Sequence, residues 1–103
     1  IPAANAAAWH TGTPKALRGH WKAKMYGGYV DQLTISKNTI NIKGYKHVKI
    51  TKVKYQYLNN QKYKIRDKQA NNGYIYLTLL KNNQLHYYTH GAEYSQVFHK
   101  ISK

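Results

Sequence analysis

The chain has no cysteine, which excludes disulfides, thiolate metal sites and thiol catalysis. Acids are almost as scarce: Asp31, Asp67 and Glu93 are the only three, against 17 Lys and Arg. Glycoside hydrolysis needs two carboxylates flanking the scissile bond, and no two of these acids are neighbours in sequence. No GxSxG, HExxH, P-loop or GxGxxG motif occurs. A ribonuclease-like site would draw on Glu93, His90 and Arg66, and no spacing assembles them. No apolar run approaches the roughly 18 residues that span a bilayer. Histidine is present at six positions, of which His86 and His90 would share one side of a strand, while His10, His20, His47 and His99 are scattered. A zinc site needs three or four convergent ligands. The sequence therefore predicts no enzyme, no metal and no cofactor.

What is present points to β structure. The 103 residues amount to one domain. Eleven tyrosines stand beside frequent Val, Ile and Thr, residue types that suit a pleated, half-buried surface. Alanine is concentrated in the first eight residues, so the body lacks helical composition. That Ala-rich start holds two small-x-small triplets, Ala4-Asn5-Ala6 and Ala6-Ala7-Ala8, of the kind signal peptidase cleaves. The expectation is an exported protein, extracellular or associated with the cell wall. Residues 1–8 would be a flexible signal-peptide remnant and 9–103 one β-barrel domain. With no cysteine after the cleavage site, a lipid anchor is not expected.

Turn signals punctuate the chain at the spacing of roughly 8–12 residues that marks sandwiches and barrels. Gly27-Gly28, Lys37-Asn38, Gly44, Asn59-Asn60, Asn71-Asn72-Gly73 and Lys81-Asn82-Asn83 separate apolar runs, and Asn and Gly tolerate the positive φ of hairpin turns. The runs lie over 17–25, 29–36, 39–43, 47–50, 53–58, 63–66, 74–80, 85–88 and 97–101. They predict an antiparallel up-and-down meander of seven or eight strands forming a small barrel. Its core would hold Trp21, Leu33, Ile35, Ile40, Ile42, Val53, Tyr55, Ile65, Leu77 and Leu79.

Side-chain phase adds detail. Val48 and Ile50 have one parity and Val53, Tyr55 and Tyr57 the other, so a bulge or turn is required at Thr51-Lys52. Beyond it, Lys52, Lys54, Lys62, Lys64, Arg66 and Lys68 all oppose apolar neighbours. Pairing Tyr55 with Tyr63 and Val53 with Ile65 requires a loop of odd length near 58–60. That register stacks Lys54 on Lys64 and Lys52 on Arg66, a ridge of opposed like charges that folding alone would not select. Two readings fit: an anion-binding surface, or a solvated face that lysine stems cover while their heads stay wet.

The string Thr13-Pro14-Lys15-Ala16-Leu17-Arg18-Gly19-His20-Trp21 resembles the opening of uncharacterised small secreted proteins of lactic acid bacteria, where a β-rich, Lys/Tyr-rich body follows. Its Leu17-x-Gly19-x-Trp21 core is similar to the first strand of lipocalin-like calycin barrels. That resemblance implies a lipocalin-like barrel in which Gly19 permits close packing and Trp21 plugs one end. It also implies a basic residue from the chain's end over the tryptophan, with Arg18, Lys100 and Lys103 as candidates. Neither resemblance brings a catalytic site.

A net charge of +14 leaves most cations without an acid in the chain, so they are solvated or meet an outside partner. The expected function is a monomeric, non-catalytic binding module for anionic envelope or extracellular polymers, or for an anionic membrane surface, with no obligate nucleic acid. The alternatives are an OB-like nucleic-acid binder and a small-ligand carrier with a lumen.

Overall fold

The computed structural model describes residues 8–24, 26–70, 72–89 and 94–103. The expectations for residues 1–7, His90 and Glu93 lie outside this set. Ten strands are described: β1 (His10–Thr11), β2 (Gly19–Lys24), β3 (Val30–Ile35), β4 (Ile40–Lys43), β5 (Val48–Ile50), β6 (Lys54–Tyr57), β7 (Lys62–Arg66), β8 (Tyr74–Leu80), β9 (Gln84–Thr89) and β10 (Ser95–Ser102). A single 3₁₀ turn covers Lys15–Leu17, and Tyr26–Gly28 forms a tight turn in which Gly27 takes φ 85°.

All ladders are antiparallel, and the strands form one sheet in the order β1-β6-β7-β8-β9-β10-β2-β3-β4-β5. Consecutive strands pair from β2 to β5 and from β6 to β10, β10 returns to β2, and β1 takes the free edge of β6. The result is a curled half-barrel. It has ten strands where phase and turn signals predict seven or eight, and β5 and β6 share no ladder. The physical cause lies between them: Lys52 adopts φ 51°, which redirects the chain at the predicted phase break. At this seam the β3–β4 turn is tied to both flanking segments. Val53 N–H donates to Asn38 O (3.1 Å), Thr13 N–H to Lys37 O (2.9 Å), and Gly12 N–H to Val53 O (2.7 Å).

Strict alternation explains which residues face inward. In β2, Trp21 and Ala23 are buried while His20, Lys22 and Lys24 are exposed. Leu33, Ile35, Ile40, Ile42, Ile65, Ile75, Leu77, Leu85 and Phe98 continue the core around the sheet. Tyr55 and Leu79, expected inside, are partly buried and pack against it. Each fully buried Leu, Ile or Phe contributes about 1.5–3 kcal/mol.

Two glycines fix close approaches. Gly19 has φ 137°, and a Cβ there would lie 2.6 Å from Ser102 O, where β2 meets the irregular end of β10. Two residues on, the indole N–H of Trp21 donates to Leu17 O at 3.0 Å, and Lys100 Nζ lies 5.3 Å from the ring centroid. Lys100, among the three candidates, is the cation over the tryptophan. Gly44, at φ 147°, packs onto Val30 and Asp31, so that a Cβ would collide with Val30 O and the Asp31 carboxylate. Asp31 itself is fully buried. Its Oδ1 accepts from the N–H groups of Tyr45 (2.7 Å) and Lys46 (3.2 Å), and its Oδ2 from the Tyr94 hydroxyl (2.7 Å).

Candidate functional site

The outer face of β7, β8 and β9 is built by the same alternation that builds the core. Ile65, Ile75, Leu77, Leu85 and Tyr87 point inward, leaving Lys62, Lys64 and Arg66 on β7, Tyr74 and Tyr76 on β8, and His86 and Tyr88 on β9 to face out. Register then sets them in rows: Lys64 opposite Tyr76 and Tyr76 opposite Tyr88, Arg66 opposite Tyr74, and Lys62 opposite Thr78, which faces His86.

Each of the three cations rests on aromatic rings. Lys62 Nζ lies 5.3 Å from the centroids of both Tyr76 and Tyr88, and Lys64 Nζ lies 4.0 Å from Tyr74. The Arg66 guanidinium is 5.0 Å from the Trp9 ring, which stacks on Tyr74 at 6.2 Å. Both lysines reach diagonally to the ring one row along, which long side chains do readily across antiparallel neighbours. The rings also touch each other: Tyr76 stacks on Tyr88 at 5.2 Å, and His86 on Tyr88 at 4.9 Å. His86 is hydrogen-bonded to Ser95 Oγ at 2.9 Å. The face is therefore a layer of flat rings carrying three ordered positive charges.

The like-charge stacking inferred from the sequence is not what the hairpin forms. Tyr55 pairs with Ile65, Gln56 with Lys64 and Tyr57 with Tyr63. The register is displaced by two residues from the expected one, because Asn59, Asn60 and Gln61 all take positive φ (78°, 55°, 63°) and centre the loop on Asn60. An even displacement preserves parity, so the basic residues keep their outward face and lose their opposition. Lys54 pairs instead with Thr11 of β1.

The six cations of the predicted ridge thus divide. Lys62 and Lys64 belong to the ring face. Lys52, Lys54 and Lys68, together with Lys49 and Trp9, line a cleft of about 550 Å³ beside the seam, and Arg66 belongs to both. Lys68 lies in the turn after β7, where Asp67 Oδ1 accepts from Gln69 N–H at 3.0 Å. Trp9, Lys49, Tyr74, Tyr76, His86 and Tyr88 are not singled out by the sequence as members of a site. Parity could have found four of them, because Tyr74 and Tyr76 oppose Ile75 and Leu77, and His86 and Tyr88 oppose Leu85 and Tyr87. Among the described residues, no three His, Asp or Glu side chains converge as metal ligands would. No described helix is long and apolar enough to cross a membrane. No family model, curated protein or solved structure matches the chain.

Proposed function

We propose that the protein is an exported, non-catalytic binding module for anionic polymers of the cell envelope or its surroundings, and that the β7–β9 ring face is its binding surface. The observation that carries this reading is the seating of Lys62, Lys64 and Arg66 on Tyr76, Tyr88, Tyr74 and Trp9. A free lysine or arginine loses about 2 kcal/mol of side-chain entropy when a ligand fixes it. Cations already held over rings lose less on binding. Repeated negative charges on a polymer would meet these cations in sequence and release their counterions, which makes affinity fall steeply with salt. The cluster of large buried side chains on the inner face of the sheet supports binding at the surface over carriage of a small molecule in a lumen. Curling of the meander, the return of β10 to β2 and the seating of Lys100 on Trp21 support a lipocalin-like relationship as part of the same proposal.

A second reading, single-stranded nucleic acid, is favoured by one observation: the outward-facing, half-buried Tyr76–Tyr88 stack, on which bases could lie at about 1–3 kcal/mol each. Fluorescence anisotropy with labelled poly(glycerol phosphate) and labelled oligo(dT) separates the two. The envelope reading expects the polyol phosphate to bind more tightly, with affinity dropping at least tenfold from about 50 to 200 mM salt. Tighter binding of oligo(dT) selects the nucleic-acid reading, and no binding of either at low salt overturns both.

A further inference from the structure

The seam cleft has a composition that neither folding nor the ring face explains. Five cations reach it from four separate parts of the chain: Lys49 from β5, Lys52 from the link, Lys54 from β6, and Arg66 and Lys68 from the end of β7 and its turn. Among the described residues of the lining they meet a single acid, Asp67, a formal excess of four positive charges (five minus one). Lys52 is held there in a left-handed conformation, φ 51°, which side chains other than Gly, Asn and Asp adopt at a cost of about 1–2 kcal/mol. One wall is Trp9, half-buried and fixed between Arg66 and Tyr74.

We propose that this cleft is an end-group subsite that takes a phosphate monoester carried on a sugar or polyol, the terminal unit of the polymer whose body lies on the ring face. The subsite rests on the polymer-binding reading and extends it. Charge selects phosphate over carboxylate. A monoester brings about −1.5 to −2 charges and three acceptor oxygens, whereas a carboxylate brings one charge and leaves most of the excess unmatched. Size selects the carrier: about 550 Å³ falls in the range of small-molecule sites and is far more than a bare phosphate fills. Trp9 supplies the flat apolar wall against which a sugar or polyol carbon face packs. Arg66, shared by cleft and face, makes the two surfaces continuous.

Two-dimensional NMR on the intact chain provides the test, because its two tryptophans report separately. Trp9 lines the cleft, whereas the Trp21 indole N–H is buried on Leu17 O. The probes are glycerol 3-phosphate and glucose 6-phosphate, with glucose and glucuronate as comparators. The expected result is a saturable shift of the Trp9 indole resonance with the phosphates, a stationary Trp21 and no saturation with glucose or glucuronate. The variant Lys49→Gln/Lys52→Asn/Lys68→Gln, in which asparagine preserves the left-handed position, should weaken phosphate-ester binding about tenfold or more. Lys62→Gln/Lys64→Gln should leave that affinity within about twofold while weakening the polymer. Equal loss in Lys15→Gln/Lys100→Gln/Lys103→Gln would assign the effect to net charge and overturn the proposal. So would glucuronate binding as well as the phosphates, or an unmoved Trp9. Ester binding without polymer binding would remove the face and retain the cleft as a small-molecule site, and the reverse would remove the cleft alone.

Discussion

The hydroxyl of Tyr94 donates to the carboxylate of Asp31 across 63 positions of sequence, joining the entry to β10 with β3 inside the sheet. Asp31 also holds the β4–β5 turn through the N–H groups of Tyr45 and Lys46, so one buried side chain fastens three parts of the fold. Removing it leaves the Tyr94 hydroxyl without its buried acceptor, and the part-buried N–H groups of Tyr45 and Lys46 without their charged partner, each such bond to a charged group being worth about 1.5–3 kcal/mol. Asp31→Ala should therefore lower stability by at least about 3 kcal/mol, and Tyr94→Phe by about 1–3 kcal/mol. Urea denaturation of both variants measures this, and a Tyr94→Phe protein as stable as the parent would refute the role of the bond.

The same pair governs behaviour at high pH. Burial first, and then its bond to Asp31, push the Tyr94 hydroxyl well above the ordinary 10.0. Burial, with a smaller effect of Asp67, does the same to Tyr87. Above about pH 10 the unfolded chain has lost these protons while the folded chain retains them, so stability falls as pH rises through that region and is undiminished below it. The difference between parent and Tyr94→Phe cancels every contribution that the two proteins share. Their stability gap should be constant from pH 7 to about 9 and shrink above about 10.

Trp21 is the largest of the fully buried side chains, and its own burial, the cation over it and the glycine two residues before it can be weighed separately. Trp21→Ala should cost about 3–5 kcal/mol. Lys100→Met keeps most of the aliphatic stem and removes the ammonium, so it should cost about 0.5–2 kcal/mol, the range for a cation over an aromatic ring. Gly19→Ala should rival Trp21→Ala, because its Cβ meets backbone at Ser102 rather than a side chain that can swing away. Thermal unfolding of the three variants ranks them.

Much of this architecture was legible from alternation alone. The parity break between Ile50 and Val53 located the turn at Lys52, and even-numbered basic residues from 62 to 66 do face outward. Alternation could also have found Asp31, which shares parity with Leu33 and Ile35 and is buried with them. Register was less legible. Parity permits any even displacement, and the loop alone decides which; three consecutive left-handed residues ending in Gln61 are not a pattern composition announces. Strand β1 was invisible for a different reason. His10–Thr11 is two residues long, and its place is set by the edge of β6 rather than by any periodicity of its own. The seam cleft likewise depends on segments brought together by that edge.

The loop offers a further test. Gln61 takes φ 63°, a region that glycine enters freely. Both hydrogen bonds of its backbone, its N–H to the Tyr57 hydroxyl and its carbonyl from Leu79 N–H, survive substitution. Gln61→Gly should raise stability by up to about 1 kcal/mol, relief of the left-handed conformation exceeding the entropy glycine adds to the unfolded chain. A drop in the urea midpoint would mean that the exposed Gln61 side chain contributes to the hairpin.

Displacement of the hairpin register reverses one expectation about the cations. Had Lys54 and Lys64 been opposed, neutralising them would relieve repulsion and improve stability. Lys64 instead faces Gln56 and lies 4.0 Å over Tyr74, while Lys62 bridges Tyr76 and Tyr88. Cation–ring pairs are worth about 0.5–1 kcal/mol each at exposed sites, and these half-buried ones at least that. Repulsion among 17 basic residues is screened beyond about 8 Å at physiological salt. The local attraction therefore wins over the general relief of charge, and Lys62→Gln/Lys64→Gln should lower stability by about 1 kcal/mol at physiological salt. At low salt the repulsion reaches further and the penalty should shrink. In polymer binding the same variant should flatten the plot of log affinity against log salt by about two, one for each phosphate no longer neutralised. Two independent measurements thus bear on the same pair of side chains. A stabilised variant would show that the rings do not hold the lysines, and an unchanged salt slope would show that the polymer does not meet them.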